Sequence, residues 1–101
     1  LNNTTDVILF LTDPDCRQCK KPFQIFTDLA VKYESYENLV FATMNAYFNE
    51  VEELKVESIP KILFYSRNNK VPSEINSLVG KKIEDFLRNN VWELRKVDKE
   101  L

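Results

Sequence analysis

Five consecutive apolar residues, Val7-Ile8-Leu9-Phe10-Leu11, stand between Asp6 and Thr12 and stop at Asp13-Pro14. An unbroken run of this length with β-branched members, closed by turn residues, predicts a strand over Asp6 to Thr12 buried on both faces, hence a central strand. The period then changes. Phe23, Phe26, Ala30 and Tyr33 recur at helical spacing, and Ile25 and Leu29 widen the stripe. They predict a helix from Cys16 to Glu34, with Asp15 as N-cap and a kink just beyond Cys19, because Pro22 lacks a backbone donor. Leu39 to Asn45 reads as the next strand. Asn49 followed by Glu52 is a variant capping box and predicts a short helix through Val51-Glu52-Glu53-Leu54 that ends near Val56. Lys61 to Tyr65 and Glu74 to Val79 read as two strands joined through Asn68-Asn69 as a hairpin. After Gly80, Ile83, Phe86, Leu87, Val91 and Leu94 keep a helical period. The order β-α-β-α-β-β-α implies an α/β fold, a central mixed sheet flanked by helices.

Composition narrows the chemistry more than the fold. The chain has 101 residues, 44% hydrophobic and 30% charged, which suits one globular domain with a single core. A net charge of −2 provides no basic field for nucleic acid or an anionic membrane. The run Val7 to Leu11 is far shorter than the ~20 apolar residues a spanning helix needs, so no membrane insertion is expected. A start at Leu1 rather than Met suggests a domain of a longer chain. There is no histidine, which removes Ser-His and Cys-His nucleophile pairs and most metal-assisted hydrolysis. Gly80 is the single glycine, so neither a P-loop nor a G-x-G-x-x-G turn can form, and no nucleotide cofactor is expected.

The two cysteines stand in Cys16-Arg17-Gln18-Cys19, between the first strand and the first helix. A sulfur at the opening turn of a helix faces unpaired backbone N–H groups and the positive end of the helix dipole, which favour thiolate. Three readings are compatible with the spacing. A zinc site needs about four ligands and would require a second chain, so no metal is expected. An inert structural disulfide, or a thiol pair that merely persists on a binding domain, is the second. A redox dithiol is the third.

Asp13-Pro14-Asp15-Cys16-Arg17-Gln18-Cys19-Lys20 resembles the active-site segment of the thioredoxin fold, and specifically of protein disulfide isomerase domains. Glu37 to Ala46, Asn49-Glu50-Val51 and Lys55 to Pro60 are similar to the same pattern, so the likeness runs from Val7 to Leu87 with Cys-x-x-Cys, Ile59-Pro60 and Gly80 in family order. The resemblance implies a single thioredoxin-like domain over 1–101, with 1–5 and 97–101 as flexible tails, that lacks the usual first strand and helix before Asp6. It implies a cis bond at Pro60, with Ile59 and Pro60 as a platform for a client strand and Asp15 and Arg17 flanking the client beside Cys16. The implied function is thiol-disulfide oxidoreductase or isomerase action on client proteins: Cys16 forms the mixed disulfide, Cys19 resolves it, and no cofactor is needed. Glutathione is a further implied partner, as are neighbouring domains in a longer chain.

Departures from the family pattern bear on activity. The usual aromatic residue before the first cysteine is Asp15, whose carboxylate opposes a thiolate at Cys16, while Arg17, Lys20 and Lys21 support it. The usual Gly-His between the cysteines is Arg17-Gln18. The buried carboxylate of the first strand and a lysine near it read Phe10 and Leu63, which removes a proton relay for Cys19 and implies weak turnover. Lys81 stands where an arginine often follows Gly80, keeping the charge without the guanidinium fork. These departures leave a second function open, a redox-inactive client-binding or scaffold domain of a multidomain chaperone. The ending Asp98-Lys99-Glu100-Leu101 resembles the Lys-Asp-Glu-Leu retention signal with its first two residues exchanged, and Asn2-Asn3-Thr4 and Asn3-Thr4-Thr5 match the N-glycosylation pattern. Both agree with the endoplasmic reticulum lumen, the compartment the resemblance implies.

Overall fold

The computed structural model describes residues 4–13, 15–45, 59–67, 69 and 71–95. Its elements are β1 (Asp6–Thr12), a 3-10 turn (Arg17–Cys19), α1 (Lys20–Lys32), β2 (Leu39–Asn45), β3 (Lys61–Tyr65), β4 (Ser73–Ile75) and α2 (Gly80–Asn90). A further helical turn covers 92–95. The four strands form one sheet in the order β2-β1-β3-β4, with β1 parallel to β2 and antiparallel to β3, and β3 antiparallel to β4. The expected mixed sheet with helices is therefore present. The short helix expected over Val51 to Val56 lies outside the described residues, as do residues 1–3 of the expected tail 1–5 and all of the expected tail 97–101.

β1 is central, and its apolar run is explained by the alternation of side chains across a strand. Ile8 and Phe10 face α1 and α2 and join Phe26, Leu29, Ile62 and Leu87 in the larger core. Leu9 and Leu11 turn the other way and pack with Leu63 in a smaller cluster. Phe10 is fully buried, which stabilises the domain by about 1.5–3 kcal/mol.

This register corrects the pairing of Phe10 with Leu63. Leu63 sits opposite Leu9, on the face away from α1 and α2, whereas Phe10 is opposite Ile62 on β3 and Thr43 on β2. The two apolar residues do not replace one another's charged partner, because a one-residue offset along a strand puts side chains on opposite faces.

The first helix also begins later than its stripe implies. Residues 17–19 form the 3-10 turn and α1 starts at Lys20, so Pro22 lies in the first turn, where its missing donor has no intrahelical acceptor in any case. The helix type changes from 3-10 to α at the Cys19–Lys20 junction, before Pro22. β4 is three residues long rather than running to Val79. Beyond it the Val79 N–H donates to the Ser77 hydroxyl at 3.1 Å and closes a turn before α2. The hairpin forms as expected, with the Asn69 side chain accepting from the Val71 N–H at 3.0 Å. Gly80 lets α2 approach α1, since a Cβ there would lie 3.2 Å from Ile25 Cγ2.

At the start of β1 the chain is fastened by polar groups. Asp6 is 1% exposed, and its carboxylate accepts from the Arg67 N–H at 2.6 Å and the Trp92 N–H at 3.0 Å. One buried side chain thus ties the turn after β3 and the helical turn after α2 to the central strand. Nearby, Glu84 on α2 accepts from Lys32 and from the Tyr33 hydroxyl at the end of α1, with Arg88 at 3.7 Å. These donors, the Lys32 hydrogen bond first, hold the Glu84 carboxyl below the usual carboxylate range against the opposing effect of burial. Burial, then the bond to Glu84, pushes the Tyr33 phenol above its usual value.

Candidate functional site

At the other end of β1 the backbone folds over itself before the cysteines. Asp13 does the work assigned to Asp15: its carboxylate accepts the Asp15 N–H at 2.9 Å and its carbonyl accepts the Cys16 N–H at 3.0 Å. Asp15 itself is exposed and caps nothing, because Cys16 occupies the N-cap of the 3-10 turn, without a side-chain cap. The turn delivers Cys16 in extended conformation, and the Cys19 N–H donates to the Cys16 carbonyl at 3.3 Å.

Cys16 and Cys19 form a disulfide, with S–S 2.02 Å and Cα–Cα 5.3 Å. The two residues are not equivalent. Cys19 is 3% exposed, whereas Cys16 is half-buried and reachable. α1 begins at the next residue, so its N-terminal N–H groups lie at the disulfide, and Lys20 and Lys21 open the helix with no acidic residue in the first turn. Arg17 and Lys20 are exposed. This arrangement favours negative charge on sulfur when the bond is broken.

A cleft of about 330 Å³ opens beside the disulfide. Both cysteines, Lys20, Phe23, Thr43 and Met44 line it, so the ends of β1 and β2 and the first turn of α1 all contribute. Phe23 is 40% exposed despite its place in the apolar stripe. Its ring meets Phe10 edge-to-face at 5.7 Å, Phe10 lies 5.2 Å from Phe26, and Phe26 lies 5.4 Å from Phe41. Phe10, where the resemblance implies a buried carboxylate, is thus the second ring of an aromatic stack that ends at the cleft.

The Ile59–Pro60 bond is cis, as the resemblance implies. Lys61 is paired with Leu11, so Pro60 and the cysteine-bearing turn leave the same end of the sheet. Pro60 lines a second cleft, of about 350 Å³, with Ile62, Glu74, Ile75 and Leu78; Lys61 and Glu74 form an ion pair of 3.2 Å at its wall. Lys81 is exposed on the first turn of α2, and neither it nor Arg17 lines the disulfide cleft.

Sequence reasoning missed Phe23 and Met44 as walls of the site. The available signal was position: Phe23 is the first member of its stripe and lies where a helix begins at the edge of the sheet, so it has only one side to bury. Among the described residues no group of three or more metal-ligating side chains lies together, and no helix is long and apolar enough to cross a membrane.

Comparison with known proteins bears on this site. The family described as Thioredoxin matches residues 1–92. The chain is 28% identical over 88 residues to protein disulfide-isomerase of Drosophila melanogaster and 31% identical over 88 residues to protein disulfide-isomerase 1 of Caenorhabditis elegans. Those matches cover 87% and 86% of this chain but 17% and 18% of the relatives, so the chain spans less than a fifth of their length. Among solved structures, the germline-specific thioredoxin Deadhead of Drosophila melanogaster superposes with a TM-score of 0.68 at 22% identity. That superposition covers 85% of this chain and 81% of the other, and it shows the shared fold.

Proposed function

The chain belongs to the thioredoxin family, and on that premise we propose that it is a thiol-disulfide oxidoreductase or isomerase domain that acts on client proteins. The observation that carries this reading is the inequality of the two sulfurs, Cys16 reachable and Cys19 3% exposed. A client thiolate attacks the Cys16 sulfur, the Cys16–Cys19 bond breaks, and the electron pair leaves on Cys19 at the helix start. A second client thiolate then attacks the client sulfur of the mixed disulfide and releases Cys16 as thiolate. The client has lost two electrons and gained a disulfide, and the domain holds the dithiol. Run in reverse, Cys16 opens a client disulfide and Cys19 displaces the client. Glutathione, as thiol or disulfide, resets the pair.

Ile59 and Pro60 would hold the client backbone, with Asp15 and Arg17 against its flanks. Lys20, Arg17 and, at longer range, Lys81 would support thiolate. Phe10 supports the expectation of weak turnover, because the buried side chain in this part of the core carries no proton for Cys19. The same observation favours a second reading, a redox-inactive client-binding domain. The endoplasmic reticulum lumen is the compartment of either reading, supported by the disulfide-isomerase relatives and by Asp98-Lys99-Glu100-Leu101, and neighbouring domains are expected in the full protein.

Exchange of the Cys16–Cys19 disulfide with glutathione and reduction of insulin disulfides test the first reading. A defined exchange potential and a rate above dithiothreitol alone are expected. A potential below about −300 mV marks a structural disulfide and removes the reading. Suppression of client aggregation that survives replacement of both cysteines by serine favours the second.

A further inference from the structure

Resting on that reading, we infer that the cleft beside the disulfide is a specificity subsite for the client residue next to its cysteine. It takes a large apolar side chain, aromatic by preference, and an acidic neighbour. Phe23 is its specificity-determining residue.

The position of the cleft is the first argument. Both sulfurs are among its walls, so a polypeptide joined to Cys16 places the residue beside its own cysteine at the cleft mouth. A volume of about 330 Å³ stands at the small end of ligand clefts, which suits one large side chain rather than a fused-ring cofactor.

The walls are the second argument. Phe23 lines the cleft and keeps 40% of its surface open there. It is not loosely placed there. Phe10, fully buried, meets it edge-to-face at 5.7 Å, and the stack continues inward through Phe26. A preorganised aromatic wall loses little side-chain entropy on contact and favours another ring in offset or edge-to-face geometry. Met44 borders the cleft from the end of β2, with its side chain packed against Leu9, Leu11 and Leu63.

Charge supplies the third argument. Lys20 lines the cleft and forms no ion pair among the described residues. Asp13, the acidic residue on the same wall, already accepts the Asp15 N–H. A client carboxylate beside the apolar residue gives the Lys20 ammonium a partner, whereas a client lysine there meets a like charge.

The chain contains a single methionine, so the Met44 methyl is a unique NMR reporter of the cleft. Three peptides, Glu-Phe-Ser, Glu-Ser-Ser and Lys-Phe-Ser, each capped at both ends and with serine in place of the client cysteine, are titrated into the oxidised protein. A saturable Met44 shift is expected with Glu-Phe-Ser, a weaker response with Lys-Phe-Ser and none with Glu-Ser-Ser. In parallel, the reduced protein is reacted with the cysteine versions of these peptides as mixed disulfides with glutathione. The Phe peptide should react about tenfold faster than the Ser peptide, the scale on which an apolar pocket discriminates. In Phe23→Ala that preference should fall to within about threefold, with far-UV circular dichroism unchanged, and Phe23→Leu should retain most of it.

Equal rates for the Phe and Ser peptides, or a Met44 methyl that ignores Glu-Phe-Ser, overturn the subsite even where exchange proceeds. A Met44 shift that depends on protein concentration without peptide assigns the cleft to a second copy of the chain and also overturns it. A Met44 response as expected, with no exchange on any substrate, leaves the subsite standing and removes the oxidoreductase reading instead.

Discussion

The two ends of the central strand are fastened in opposite ways. At the Asp6 end, charge and hydrogen bonding do the work: a carboxylate buried to 1% exposure gathers two backbone donors from distant segments, Glu84 joins α1 to α2, and the Glu93 carboxylate accepts the Asn38 N–H at 2.8 Å. At the Thr12 end, the fastenings are a disulfide, an aromatic stack and one short turn held by Asp13. The difference teaches where this fold keeps rigidity and where it keeps reactivity. A buried polar network costs free energy when any member is lost, so it suits the end that only has to stay closed. The disulfide end must open and re-form a bond, and apolar contacts adapt to both states without leaving a charge unpartnered.

Each end carries its own optical or magnetic reporter, which lets the contrast be broken from either side. Trp92, the only tryptophan, sits at the Asp6 end under Arg67, 5.2 Å from its ring centroid, and Met44 sits at the other. The largest effect is expected from Cys16→Ser, which should reduce exchange with glutathione and insulin to the uncatalysed background while Trp92 fluorescence stays unchanged. Residual exchange through Cys19 alone would show that the burial of that sulfur does not decide which one reacts.

Phe10→Ala comes next and should cost about 3–5 kcal/mol in urea unfolding, because it removes a fully buried ring from the middle of the stack. It should also broaden the Met44 resonance by loosening Phe23. A loss under about 1 kcal/mol would mean that the core collapses around the gap. Asp6→Ala should cost about 1–3 kcal/mol by stranding the Arg67 and Trp92 N–H groups, and it should shift Trp92 emission. Its exchange rate with glutathione should equal that of the parent, and a change there would show that the two ends are coupled.

The smallest effect is expected at Glu84, whose cluster is partly open to solvent. Glu84→Gln should lower stability by about 1 kcal/mol or less at neutral pH. The sign of the pH dependence follows from its depressed carboxyl. The contribution is full above the ordinary glutamate range and is lost as pH falls through the lower folded value. Urea midpoints measured from pH 7 downward should therefore decline more steeply in the parent than in Glu84→Gln, and parallel curves would remove Glu84 from the polar end. Tyr33 acts at the opposite limit: its raised phenol contributes below its ordinary value and the contribution fades as pH rises through the folded one.

Much of this contrast was legible in the chain, and what escaped did so for definable reasons. The run Val7 to Leu11 announced a strand covered on both faces, and Ile83, Leu87, Val91 and Leu94 announced the buried stripe of α2 and its extension. The cysteine pair announced its own place before a helix. Asp6 read as the polar boundary of a strand, because its donors come from Arg67 and Trp92, 61 and 86 residues away. Asp15 read as a cap because Asp13 and Asp15 are chemically alike, and only the path of the turn selects one. Phe23 read as core because periodicity says which face a residue is on without saying whether the sheet extends far enough to cover it.

The sequence by itself determined the order of the described elements, the dithiol and its place at a helix start, since these follow from the spacing of apolar residues and from turn chemistry within a few neighbours. Tertiary structure alone decided that Phe10 and Leu63 face opposite ways, that Cys19 is sealed while Cys16 is reachable, and that an aromatic wall stands open beside them. Those outcomes depend on strand register and on where one helix overhangs the end of a sheet, which are set by packing between segments far apart along the chain.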